Sequence, residues 1–469
     1  MACSSNNMAT RTCTGGACSG TCAAGWDDCN GDKLTDGCET NLNTATDCGS
    51  CGNSCVDPDP CTNDVCNPPG TCANVDGSAC FQPACAGGSC GFTDTDGDGL
   101  NDTWETNGYI DLDCNGMNDP GIDTLLPGAD PARPNIYVKW DYMVKAGSGA
   151  PCVTAADCPD PGEQCVASVC SGHSHAPSPL ALDLVRQAFL ARNVILTFDP
   201  VSAEIPERAV VTFDSLDPAC AGPDAVSFYD LKSANFPANL RSAYHYMIFA
   251  HLNTCDSPGS CAACPVSPDT GAQPTYGQTG VAERPGNDLI VSFGSYVDNA
   301  LPVTDEMNAG TFMHNLGHNL SLLDGGGDDV RQKPNYFSVM NPSYQFGIGM
   351  SAVPGPYPTT DIDPSVSHRI DYSGQVLAPL DECGGLDEAV GVSGDPASLD
   401  VVKFFGQPGP IQLFAPSNMT PVDWNNVPPD TEPGVLADIN GDGQCTVLQG
   451  FNDWAGLFYA FQCTSGFLD

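Results

Sequence analysis

Fifteen of the 27 cysteines in this chain fall before residue 91, and that asymmetry limits how its first fifth can fold. Stretches such as CNGDKLTDGCETNLNTATDCGSCGNSC and PCTNDVCNPPGTC mix cysteine with Gly, Asn, Asp and Pro. They show neither helical nor strand periodicity. With few large apolar residues, such a region cannot close a core of its own and must be cross-linked. Residues 1–92 are therefore expected to be a disulfide region. Zinc is the alternative for CGSCGNSC, Cys48 to Cys55. Disulfides are preferred, because histidines are absent there and the pairs lack a ribbon-like repeat. Such bonds need an oxidising compartment, so the expected location is secreted, extracellular or cell-surface. The start, MACSSNNMATRTC, has neither the basic nor the apolar part of a secretion signal. A signal already removed, or a truncated start, is expected. The odd cysteine total leaves at least one thiol without an intrachain partner.

The remainder is long enough for a real core. At 469 residues and 41% hydrophobic content, two to four domains are expected. Fifty-eight acidic residues against 15 basic ones give a net charge of -43. Nucleic acids and anionic membrane surfaces, which need basic patches, are unsuitable partners. No apolar run reaches the roughly 18 residues of a membrane span. The acidity reads either as solubility or as divalent-cation binding, and only the spacing of the acids separates the two.

Beyond residue 126 the pattern changes. NIYVKWDYMV, Asn135 to Val144, reads as a strand. PCVTAADCPDPGEQCVASVC, Pro151 to Cys170, reads as a small disulfide insertion. SPLALDLVRQAFLARN has Leu182, Val185 and Phe189 at helical spacing, with Ser178 as N-cap and Pro179 in the first helical position. VILTF, RSAYHYMIFAHL and NDLIVSFG read as further strands, and a helix carrying His314 and His318 follows. After about residue 325 the chain is loop-rich, resuming apolar character at GFNDWAGLFYAFQC. Strand, helix, strand, strand, helix is an α/β or α+β pattern, and the fold expected is α+β, a twisted sheet packed on helices, preceded by an irregular disulfide-rich and calcium-loop region. The expected boundaries are 1–92, 93–125 and 126–469.

Acid spacing favours calcium at DTDGDGLNDTWE. Asp94, Asp96, Asp98, Asp102 and Glu105 occupy the side-chain positions of a twelve-residue calcium loop, Gly99 makes its sharp turn and Leu100 offers a carbonyl. DLDCNGMNDPGI repeats the start with Asp111, Asp113, Asn115 and Asp119. It ends on Ile122, so it should bind more weakly unless Asp123 helps. Five residues between these loops leave no room for paired EF-hand helices, and the arrangement resembles thrombospondin type-3-like repeats. DINGDGQCTVLQ offers Asp438, Asn440 and Asp442 but ends on Gln449, and reads either as a third site or as an acidic turn tethered by Cys445.

TFMHNLGHNLSLLDGGGDD places His314 and His318 one turn apart on one helix face, where both imidazoles reach a single ion. Here the chain resembles the metzincin zinc metalloproteases, whose pattern is HExxHxxGxxH followed by a methionine turn. The matching stretch is HNLGHNLSLLD, with Met340 in NYFSVMNPSYQF at the methionine position. The resemblance implies a secreted zinc peptidase acting on protein or peptide, with zinc on His314, His318 and Asp324, calcium in the flank, and a monomeric chain. Asp328 and Asp329 are reserve ligands.

Four positions depart from the family pattern. Asn315 replaces the glutamate that moves protons, and an amide has no basic lone pair. Ser321 replaces the glycine that lets the chain leave the helix. If the helix ran on, Asp324 would turn off the histidine face. Asp324 replaces the third histidine, an acceptable exchange for zinc. Pro342 stands where some members carry a tyrosine that touches the metal, unless Tyr344 substitutes. An impaired peptidase and an inactive binding or adhesion module both stay open. Of the remaining histidines, His173 and His175 could bind metal but lie in a linker beside the insertion, where an exposed loop is the default, and His245 and His251 read as strand residues in or near the core.

Overall fold

The computed structural model describes residues 3–15, 17–44, 47–54, 62–67, 71–76, 93–112, 117–159, 163–208, 210–212, 225–253, 279–298, 302–350, 367–393, 400–406, 411–415, 421–429 and 431–463. Asp113, Asn115, Cys55 and the cysteine loop at 255–264 lie outside them. The chain forms two compact units, one from Met1–Asp94 with Asn101–Leu125, the other from Thr95–Leu100 with Leu126–Asp469.

In the first unit, disulfides take the place of a core. Cys3–Cys18, Cys22–Cys38, Cys29–Cys51 and Cys48–Cys66 are bonded. Cys48 and Cys51 thus enter disulfides and are not zinc ligands. Each bond closes a loop of 15 to 22 residues, a constraint worth about 3 kcal/mol through the unfolded chain. Among the described residues regular structure is sparse, with two-residue ladders such as Trp26–Asp27 on Thr40–Asn41 and a longer hairpin, Thr62–Asn67 on Thr71–Asp76. Helix α1, Asp102–Asn107, starts on the Asn101 cap and stops at left-handed Gly108.

The second unit is built on a seven-stranded mixed sheet. Its longest strand is β1, Asn135–Lys145. The others are β2 (His173–Ser174), β3 (Ile195–Phe198), β4 (Glu204–Pro206), β5 (Tyr244–Ala250), β6 (Gly280–Ala282) and β7 (Asp288–Ser292). β1 pairs in parallel with β3, β4 and β5, and antiparallel with β2. β5 continues in parallel to β7, and β6 runs antiparallel to β7.

Both faces are covered, which is why β5 and β7 are apolar along most of their length rather than alternating. One face presents Ile136, Val138, Met247, Phe249, Leu289 and Val291 to two helices. These are α2, Pro179–Leu190, and α4, Asp305–Asn319. As expected, Ser178 caps α2 by accepting from the Ala181 amide, with Pro179 at the first position. On the other face, Phe228 and Phe236 pack on the ring of Tyr246. They flank and begin helix α3, Phe228–Asn235, whose Lys232 forms a buried ion pair with Asp288 at 2.8 Å.

The insertion is tied by Cys152–Cys165 and Cys158–Cys170. Past residue 325 a second core gathers around the buried Trp424, with Phe404, Tyr344, Ile439 and Leu448. Its strands are short antiparallel ladders, and Cys383–Cys445 ties the region. Helix α5, Asp453–Gly456, brings the chain back to the first core through Trp454. No helix among the described residues is long and apolar enough to cross a membrane.

Candidate metal centre

Helix α4 is the element that builds the site. Thr304 caps it, Asp305 and Glu306 sit in its first turn where the helix dipole favours acid, and it is buried from Ala309 to Asn319. Gly317 lets another segment come close, since a Cβ there would stand 2.3 Å from the Met340 sulfur. The buried Met340 therefore lies against the turn of α4 between the two histidines.

The helix ends where Asp324 requires it to. The Leu322 amide donates to the Gly317 carbonyl and the Ser321 amide to His318, the double bond of a Schellman stop. Ser321 takes the left-handed residue at φ 77°. A non-glycine residue pays about 1–2 kcal/mol for that conformation. The chain thus reverses, and Asp324 comes back to the histidine face. Its Oδ1 is 3.5 Å from Nε2 of both His314 and His318, and those two nitrogens are 3.1 Å apart.

Hydrogen bonds set the tautomers. Nδ1 of His314 lies 2.9 Å from the Val339 carbonyl, and Nδ1 of His318 lies 2.8 Å from the Leu322 carbonyl. A carbonyl only accepts, so both Nδ1 atoms carry the proton and both Nε2 lone pairs face one point. Burial, then the neighbouring His318, lowers the His314 pKa to about 3, keeping the ring neutral. For Asp324, burial opposes ionisation, but the positive charge around it, the Arg331 guanidinium included, outweighs burial and holds the carboxyl well below its ordinary range. Arg331 donates to Asp324 Oδ2 at 2.8 and 2.9 Å, leaving Oδ1 for the shared point.

Two neutral imidazoles and one carboxylate, all buried, form a donor set suited to zinc. Two ligands on one tetrahedral zinc stand about 3.3 Å apart, close to the spacing of this trio. Two lone pairs cannot bond each other, so the trio needs a Lewis acid or an N–H. Arg284 supplies an N–H, with Nη2 3.0 Å from His318 Nε2. A metal held by the trio would take the place of that contact, with Asp329, 3.7 Å from the Arg284 Nη1, as an alternative partner for the arginine.

No protein-family model matches this chain, and no curated protein matches it.

The other expected residues sort clearly. Asn315 is buried and turns back along its own helix, its amide donating to the Thr311 carbonyl at 2.8 Å. Gly280 of β6 abuts it, where a Cβ would meet the amide nitrogen at 2.2 Å. Asp328 is taken by Lys333 at 2.8 Å, and Asp329 is largely exposed, so neither replaces Asp324. Tyr344 does not substitute for the missing tyrosine. It is buried in the second core and its hydroxyl accepts from the Lys403 amide. His245 is a core residue whose pKa burial lowers to about 4.

In the loop after Thr93, ligand oxygens of Asp96 and Asp98 fall within 4.8 Å of each other. Asp98 also accepts from the Leu100 and Asn135 amides. Leu100 is buried, Asp102 opens α1, and Glu105 is buried within it. In the second loop, Asp123 accepts from the amides of Leu112 and Asp119, so it closes the turn on which Asp111 and Asp119 sit. At the third, Asp438 accepts from Gly441 and Gly443, Asn440 from Asp442, and Asp442 from Gln444, the pattern of a self-bonded turn.

Two supports of the trio carried no sequence signal. Arg284 and Arg331 are distant or irregularly spaced, and only the fold brings them to Asp324.

Proposed function

We propose that this chain is a secreted, metzincin-type zinc metallopeptidase-family protein whose centre holds zinc but whose peptide hydrolysis is impaired. The observation that carries the reading is the convergence of His314 Nε2, His318 Nε2 and Asp324 Oδ1, with each imidazole locked through its far nitrogen. The resemblance of HNLGHNLSLLD and Met340 to the metzincin pattern, and the position of Met340 against Gly317, support it. Bound zinc would supply Lewis acidity toward a carbonyl and toward water.

The residues divide the remaining work. Burial holds His314 neutral, and both rings turn Nδ1 to a carbonyl, so each presents its Nε2 to the metal. Asp324 balances one of its charges, and Arg331 orients that carboxylate. Asn315 cannot take a proton from water, and its amide is already committed to Thr311. Loss of a general base costs about 10²–10⁴-fold in rate. The same observation favours a second reading, an inactive module that binds peptide at the zinc site without cutting. Calcium is proposed for Asp94 to Glu105, and the disulfides fit an extracellular setting.

Purified protein tested on casein, with zinc added or chelated, separates the readings. The expected result is weak, chelator-sensitive cleavage that Asn315→Glu raises about 10²–10⁴-fold. Zinc bound through His314 and His318 with no cleavage by either protein would leave the binding module. Absence of zinc from the native chain would remove both readings.

A further inference from the structure

The second unit contains another convergence of metal-binding side chains, away from α4. His173 and His175 lie on and just after β2, Glu207 follows β4, and His251 follows β5. Three segments spread over nearly eighty residues thus end at one place. Their side chains are nearly buried, between 5% and 10% exposed. His173 and His175 are therefore not the exposed linker that their sequence context suggests. The antiparallel pairing of β2 with Val144 and Lys145 of β1 draws them in.

The ligand atoms fit one ion. Nε2 of His173 and of His175 stand 3.1 Å apart, and lie 2.8 and 2.9 Å from Glu207 Oε2. Nδ1 of His251 is 3.3 Å from His175 Nε2 and 3.7 Å from Glu207 Oε2. Tetrahedral zinc places its donors about 3.3 Å apart, the middle of this range. The other Glu207 oxygen turns toward Lys145, at 3.7 Å, so the carboxylate presents one oxygen to the cluster. The backbone makes room for this arrangement at Gly294, whose amide donates to the His251 carbonyl at 2.6 Å. A Cβ at Gly294 would stand 2.7 Å from His251 Nδ1, so the ring rests on a position that only glycine leaves open.

We propose that His173, His175, Glu207 and His251 form a second, structural zinc site. Three imidazoles and one carboxylate are a borderline donor set that excludes calcium and magnesium, which want oxygen. Four protein ligands fill a tetrahedral shell, so the site is closed and does no chemistry on substrate. Its work is mechanical. It staples the chain leaving the disulfide insertion, at Cys170, to the ends of β1, β4 and β5. The site is independent of the proposed peptidase function, because it shares no residue with the α4 trio.

The test uses the full chain with the α4 trio disabled by His314→Ala and His318→Ala. Metal analysis after dialysis against zinc, and visible absorption after loading with cobalt, are read on this protein, with circular dichroism confirming its fold. The expected result is one equivalent of zinc per folded chain, and the intense absorption of tetrahedral cobalt. Adding Glu207→Gln, which keeps size and one hydrogen-bond acceptor but removes the charge, is expected to weaken zinc binding at least tenfold. Adding His173→Ala and His175→Ala should abolish it. A folded double variant of the α4 histidines that holds neither zinc nor cobalt would overturn the site. So would metal binding unaffected by both the Glu207 and the His173/His175 substitutions, because the cluster would then be only a hydrogen-bonded group around Glu207. Should the His173/His175 variant fail to fold, the Glu207→Gln comparison still decides.

Discussion

At the scale of single residues, much of the α4 site could be read from spacing. A spacing of four, with three residues between the histidines, fixes their shared face through the helical repeat, and Asp324 follows if the helix stops at Ser321. What spacing does not encode is which nitrogen of each ring is occupied. That depends on the Val339 and Leu322 carbonyls, which the fold supplies from outside the motif and from the helix exit. Ser321 carries a cost that can be measured. Its φ of 77° is a conformation that glycine adopts freely. Ser321→Gly relieves about 1–2 kcal/mol of that strain and returns part of it as chain entropy. Native stability is expected to rise by roughly 0.5–1 kcal/mol, read as a higher urea midpoint with unchanged slope. Zinc stoichiometry should not change, because Asp324 already occupies the position that the turn provides. A drop in stability would mean that the Ser321 side chain contributes something the backbone geometry does not explain.

At the scale of elements, the long strands and helices were legible and the short ladders were not. β1, β5, β7 and α2 carry enough apolar residues in sequence to declare their type, whereas ladders of two to five residues past position 325 carry no period. The burial of His173 and His175 was hidden for the same reason, since a two-residue strand looks like a linker. Helix α5 is short, yet it joins the methionine loop to the C-terminal segment through one carboxylate. Asp453 accepts from Tyr336 at 2.6 Å, Ser338 at 2.5 Å and the Ser373 amide at 2.9 Å. Ser338 in turn accepts from the Met340 amide. Burial outweighs these donors and raises the Asp453 pKa from 3.8 to about 6. The folded state therefore holds this proton more tightly than the unfolded state. Below about pH 4 both states are protonated and the contribution is complete. Between about pH 4 and pH 6 the unfolded chain ionises first, so stability falls, by roughly 3 kcal/mol in all, and then levels off. Asp453→Asn removes this slope. Denaturation of both proteins across pH 4–7 should show the difference between them changing through that window, and a constant difference would contradict the assignment.

At the scale of the whole molecule, charge and cross-links were visible in the sequence, but their partners were not. The cysteine count predicts disulfides without saying that Cys29 finds Cys51 or that Cys48 finds Cys66, because pairing depends on where turns bring the chain. The charge of -43 predicts that cations stabilise the protein, but it does not distinguish screening from a site. The Asp94, Asp96 and Asp98 loop makes that distinction testable, because screening responds to ionic strength and a site responds to ion size. Calcium accepts six to eight oxygens in flexible geometry, while magnesium is small, prefers its water and fits such a loop poorly. At equal ionic strength, calcium is therefore expected to raise the melting temperature more than magnesium does. The linkage reaches about 2.7 kcal/mol when free calcium is a hundred times its dissociation constant. Asp94→Asn with Asp96→Asn should erase the excess of calcium over magnesium and leave the shared salt effect. Asp98 is the wrong residue for this test, since its carboxylate also holds the Asn135 amide at the start of β1 and its loss would unsettle the sheet without any ion. Equal shifts from the two ions, in native and variant protein alike, would reduce the loop to an acidic turn and leave the net charge as the whole explanation.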